Sequence, residues 1–174
     1  ITGALPAQYG LAAGSVVNIT TKNGLYQGGG GQAELYGGSH GTIEPAFEWA
    51  TATGGTSLFA SGSYRRSNGG LAPPDGRSRP LHDGVRELEG FGFLDHVIDE
   101  KSRVSLIIGS SNERNQIPGL PIGGWAGSEV RHGEQRTGNH YAIASYQLSS
   151  GKLSLQASVS GLVSNGKVDP RTAP

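Results

Sequence analysis

Five histidines are scattered along the chain, at His40, His82, His96, His132 and His140. A metal centre needs two such ligands, or a His with a Cys, at a short fixed spacing. There is no Cys, and only Gly-containing sequence joins His132 to His140. No metal and no cofactor is expected, and the histidines read as polar loop or interface groups. Glu44 with Glu48, and Glu87 with Glu89, are spaced to share one face of a strand. Paired carboxylates can do acid–base work, but on a strand they more simply line a wet surface. Ser, His and Asp are all present, yet no Gly-x-Ser-x-Gly elbow stands between a strand and a helix. The Gly28–Gly31 tract is followed by neither Lys-Ser/Thr nor a helix, so it makes no phosphate cradle. No catalytic residue can be named, and the chain does not read as an enzyme.

Basic and aromatic groups are more suggestive. Arg77, Arg79, His82 and Arg86 crowd one polar stretch, and Trp125, Arg131, His132 and Arg136 crowd another. Such groups can hold an anionic chelate or a sugar, and they can equally meet lipid phosphates or water. Arg65 and Arg66 close a strand beside the first stretch, so at least one should face the polar side. The ligand-binding candidates are Arg65, Arg77, Arg79, His82, Trp125, Arg131 and His132.

The elements that would position these groups are strands. Leu153-Ser154-Leu155-Gln156-Ala157-Ser158-Val159-Ser160 alternates apolar and polar without a fault, which defines a strand with one greasy and one wet face. Ile43 to Trp49 does the same, with Ile43, Phe47 and Trp49 opposite Glu44 and Glu48. Gln32–Tyr36, Ser57–Ser61 and Arg103–Leu106 are shorter versions, the last blurring at Ile107-Ile108. Arg86–Asp99 and His140–Leu148 are strand-like without a clear phase. The links are Ser39–Gly41, Thr53–Gly55, a long stretch Asn68–Val85, Asp99–Ser102, a long stretch Asn112–Gln135, and Ser149–Lys152. In an antiparallel meander, alternate links fall at opposite ends, so both long stretches share one end. Outer-membrane barrels have that layout, short turns on one side and long loops on the other. Thr42–Ala52 and Arg86–Ile98 are also long for globular strands and match a membrane-crossing strand of about 9–11 residues.

Composition agrees. Gly and Pro make up 39 of 174 residues, about twice the usual share, which excludes a helical bundle. A hydrophobic fraction of 34% supports a self-contained soluble core poorly. The formal charge is zero, which argues against a nucleic-acid binder built on phosphate neutralisation. No apolar run is long enough for a transmembrane helix. A membrane role would need a β-barrel, whose alternating strands never look hydrophobic as a block. Ile1–Gly10 has neither the basic start nor the apolar run of a signal peptide. Ile1 in place of an initiator Met points to a processed or cut terminus.

The first 24 residues depart from the meander. Gly10 and Gly14 permit backbone angles closed to other residues, Val16-Val17-Asn18-Ile19 is a β-type run, and Lys22-Asn23-Gly24 is a turn signal. This stretch resembles the end of the plug domain of TonB-dependent outer-membrane receptors. The likeness rests on Pro6, Tyr9, Gly10, Gly14, Val16, Val17, Asn18, Ile19, Thr21, Lys22 and Gly24, with Ser15 where the family commonly has a second Gly. The resemblance implies that residues 1–24 are the plug end and hinge. Residues 25–174 are then the first strands of an incomplete outer-membrane barrel. The fold class is then all-β, an antiparallel meander of about seven long strands within a 22-stranded plugged barrel. It implies a Gram-negative outer-membrane receptor that imports an iron chelate, cobalamin or a glycan. The implied partners are a TonB-type energy-transducing protein, the solute, outer-membrane lipid and lipopolysaccharide, but no nucleic acid. Such a slice would leave unpaired edges and is not expected to fold alone. The alternatives are another outer-membrane barrel, of porin or autotransporter type, and a soluble secreted β-sandwich binding module.

Overall fold

A computed structural model of the chain describes residues 29–69, 83–117 and 131–172. Seven strands follow one another: β1 (Gly30–Gly38), β2 (Thr42–Thr53), β3 (Thr56–Asn68), β4 (Gly84–Val97), β5 (Ser102–Ile117), β6 (Arg131–Ser150) and β7 (Leu153–Thr172). They form a single sheet in the order β1-β2-β3-β4-β5-β6-β7, and each neighbouring pair is antiparallel. No α-helix occurs among the described residues.

The turns are built from the residues that tight turns require. Gly54 and Gly55 join β2 to β3 with φ of 54° and 78°, a backbone that side chains resist and that suits a two-residue hairpin. Between β4 and β5, the Asp99 carboxylate accepts hydrogen bonds from the backbone N–H groups of Lys101 and Ser102, both at 2.8 Å. Those donors, Lys101 first, hold the Asp99 carboxyl below the usual carboxylate range. Gly151, at φ 60°, opens the turn between β6 and β7. These three turns lie at one end of the sheet. A 3₁₀ turn at Ser39–Gly41 and the two long connections, after β3 and after β5, lie at the other. His40 takes a left-handed φ of 58° there, a conformation in which His is enriched among non-Gly residues.

The long connections are shorter than the sequence suggested. Asn68, Gly84 and Val85 are paired strand residues, not loop. So are Asn112–Ile117 and Arg131–Gln135. Polarity misleads here: these strand ends are polar on both faces, so they resemble loop. Their backbones are nonetheless laddered, and their side chains bind across strands. The Gly84 N–H, for example, donates to Gln116 Oε1 at 2.9 Å.

The cross-strand register sorts the residues into two faces. One carries Glu34, Glu44, Glu48, Glu87, Glu89, Asp95 and Glu113 with many Ser, Asn and Gln. The other carries Phe47, Trp49, Leu58, Leu94, Val104, Leu106, Ile108, Ala144, Leu155 and Val159. The apolar face stays bare: Phe47, Trp49, Leu88, Ile108 and Val159 are all exposed, Val159 at 71%. The only buried hydrophobic side chains among the described residues are Ala50 and Phe59, both on the Glu-rich face. The sheet therefore has no apolar core of its own.

Candidate functional site

The Glu-rich face curls into an open groove of about 640 Å³, bounded by residues such as Gln32, Glu48, Ser63, Glu89, Phe91 and Tyr141. Alternation within each strand puts Glu44 and Glu48, and Glu87 and Glu89, on this face as the sequence indicated. The register then brings carboxylates of different strands side by side. Arg65 pairs across to Glu87 and Glu87 to Glu113, and Glu44 lies beside Arg65 on the other side. Arg65 Nε stands 4.0 Å from Glu44, both half exposed, which is a weak, screened contact. Gln32 donates to Glu48 at 2.9 Å, and Asn115 to Glu113 at 2.5 Å. Near the tight turns, Arg103 clasps Asp95 through two bonds, 3.1 Å and 2.6 Å, and Asp95 is 2% exposed. The face is a negatively charged wall.

An apolar island interrupts it. Phe59, Phe91, Phe93, Ile107, Tyr141 and Ile143 lie on the Glu-rich face in adjoining rows. The Phe59 and Phe91 rings are 6.0 Å apart and tilted by 56°, a favourable aromatic arrangement. The Tyr141 ring lies over Gly109, where an added Cβ would collide with it. This island explains the lost phase of β4 and β6 and the blur at Ile107-Ile108. Both faces are apolar at that level, so alternation disappears.

Of the candidate ligand residues, Arg65 faces the Glu-rich groove. Arg131 and His132 lie on the backbone of β6, not in a loop. Arg77, Arg79, His82 and Trp125 lie outside the described residues, as do the plug-end residues Pro6, Tyr9, Gly10, Gly14, Asn18, Ile19, Thr21, Lys22 and Gly24. Two further residues expected among the loop groups, Arg86 and Arg136, are strand residues on the apolar face. Arg66 is there too, back to back with Arg65. In the glycine tract, Gly31 is closely approached, for an added Cβ would stand 2.7 Å from the Glu48 carbonyl.

The described histidine side chains, His40, His96 and His140, stay apart. His96 Nδ1 meets Thr56 Oγ1 at 2.7 Å, and His140 Nδ1 meets Ser110 Oγ at 2.9 Å. Among the described residues, no group of three or more His, Asp or Glu is placed to hold a metal ion. One formal Gly-x-Ser-x-Gly match, Gly37–Gly41, falls in the turn between β1 and β2 and not before a helix. There the Ser39 carbonyl accepts from Thr42 Oγ1 at 2.7 Å. No protein family, curated protein or solved structure matches this chain.

Proposed function

We propose that this chain is part of a TonB-dependent outer-membrane receptor, a plugged β-barrel that imports a scarce solute such as an iron chelate, cobalamin or a glycan. The observation that carries the reading is the division of the sheet. One face is apolar and bare, the other is polar and acid-rich, and tight turns occupy one end while long connections occupy the other. A wall between lipid and a wet lumen requires one apolar and one polar face, and outer-membrane barrels carry short turns at one end and longer loops at the other. The apolar stretches start at one end: Leu58–Tyr64 on β3 and Leu148–Ala142 on β6 begin near the tight turns, and farther along the same face stand Arg66 and Arg136. A soluble sandwich would need a second sheet over this face, and none is found among the described residues. The Pro6–Gly24 resemblance favours a plugged receptor over a plain porin, since it stands just ahead of β1. The acid-rich wall would repel an anionic solute, so in this reading Arg77, Arg79, His82 and Trp125 capture and the wall lets go. A TonB-type partner supplies the energy that moves the plug, and no step of the cycle is enzymatic.

The test is fractionation of the source cells, blotted with an antibody raised to this segment. The expected band lies in the outer membrane, shifts on heating, and is several times larger than 18.0 kDa. A soluble band near 18.0 kDa would overturn the reading. Photo-crosslinking in cells to a TonB-type protein then separates a receptor from a porin, which would give no adduct.

A further inference from the structure

Two adjoining rows of residues build the floor of the groove on the Glu-rich face. One crosses five strands through Glu48, Ser61, Phe91, Gly109 and Tyr141. The next, toward the long connections, includes Glu34, Ala46, Ser63 and Glu89. Glu34, Glu48 and Glu89 all line the groove of about 640 Å³, and its described lining holds no Lys, Arg or His. The nearest base on this face, Arg65, stands one row farther on, beside Glu44. Glu34 and Glu89 lie three strand spacings apart, about 14 Å. Only the small side chains of Ala46 and Ser63 stand between them in that row.

The rings beside these carboxylates are the independent observation. Phe91 is half-buried and Tyr141 is 38% exposed, both on the polar face. Gly109 separates them in the row, and the Tyr141 ring lies over it. The ring thus extends from β6 across β5 toward Phe91 on β4. Glu89 is two residues from Phe91 on the same strand, and Glu48 is two strands away in the same row. An aromatic face carries partial negative charge, so rings and carboxylates present one electrostatic sign to one space. Both favour a cation, and the rings add apolar surface for its carbon skeleton. A neutral sugar would not offset the negative charge, and an anion would be repelled. A bare metal ion would make no use of the rings, and no metal-holding group of three is found among the described residues.

We propose that this groove binds a solute carrying an ammonium group on an aliphatic or flat carbon body. The ammonium sits between Glu48 and Glu89, and the carbon body lies on Phe91 and Tyr141. The inference rests on the barrel reading above and gives the imported solute a positively charged group.

The test uses the full-length receptor in detergent and two probes of one shape, choline and its neutral isostere 3,3-dimethylbutan-1-ol. Choline should bind saturably and the isostere on the order of tenfold more weakly, since ring and carboxylate contacts to a cation each contribute up to roughly fivefold. Changing Glu48→Gln and Glu89→Gln together should weaken choline binding about tenfold, as two partly exposed charge contacts are lost. Phe91→Leu should weaken it about threefold, the worth of an exposed cation–π contact. Glu89→Asp, which keeps the charge, should retain most of the affinity, a rescue that misfolding cannot mimic. The neutral trisaccharide maltotriose should not compete. No saturable choline binding, equal binding of the two probes, full affinity in the double Gln variant, or displacement of choline by maltotriose would each overturn the proposal. Heat-shifted migration and outer-membrane fractionation, scored first for every variant, report on the barrel reading separately.

Discussion

Gly109 is buried in β5 with the Tyr141 ring of β6 laid across it. Only hydrogen fits in that space. Gly109→Ala should therefore cost about 1–3 kcal/mol, the usual range for overpacking, read as a lower denaturant midpoint of the full-length protein. Shortening the ring with Tyr141→Leu should restore much of the loss, and a double-mutant cycle measures that coupling. If Gly109→Ala left the midpoint unchanged, the close packing would be refuted. Residues of this kind are hard to find in sequence, because nothing near Gly109 announces a ring that arrives from a strand thirty residues on. Glu44, Glu48, Glu87 and Glu89 were legible, because their facing depends only on parity within one strand. Arg86 and Arg136 were not. They sit where the strands have left the apolar band, and polar composition on both faces there looks like loop.

At the scale of the strand, the alternation has a direct consequence. The chain contains no Cys, so labels can be introduced at single positions in it. In the membrane-embedded protein, spin labels at Leu94, Leu106 and Ala144 should show high accessibility to oxygen. Labels at Ser105, Ser145 and Ser158 should show low oxygen accessibility, with the contrast reversing between the neighbours Ser105 and Leu106. A smooth profile without reversal would contradict a sheet lying between lipid and a polar interior. Strand existence and order were readable from period two and from the turn residues Gly54-Gly55, Asp99 and Gly151. The phases of β4 and β6 were not, because the island of Phe91, Phe93, Ile107, Tyr141 and Ile143 makes the polar face locally greasy. Periodicity is a contrast between faces, and it vanishes where the contrast does.

For the molecule as a whole, the open sheet is the dominant fact. Among the described residues β1 and β7 are both edges, and β7 (Leu153–Thr172) has no strand paired along its outer side. Leu153, Leu162 and Val163 on that strand are exposed. An unpaired greasy edge recruits other chains. The segment expressed alone in aqueous buffer should therefore aggregate, and a monodisperse, cooperatively unfolding monomer by sedimentation and denaturation would argue against the barrel reading. By itself the sequence determined that the chain is a meander of alternating strands, that its long connections share one end, and that Glu44 with Glu48, and Glu87 with Glu89, share a face of their strand. Each is a property of parity and order along the chain. Only the tertiary structure decided which residues of different strands stand opposite one another. That registration is fixed by the turns and by cross-strand hydrogen bonding, and a shift of two residues in one strand would keep every face yet break the row from Glu48 to Tyr141. The alignment of Glu48, Phe91 and Tyr141 is a sum over four pairings, and no local stretch of sequence contains it.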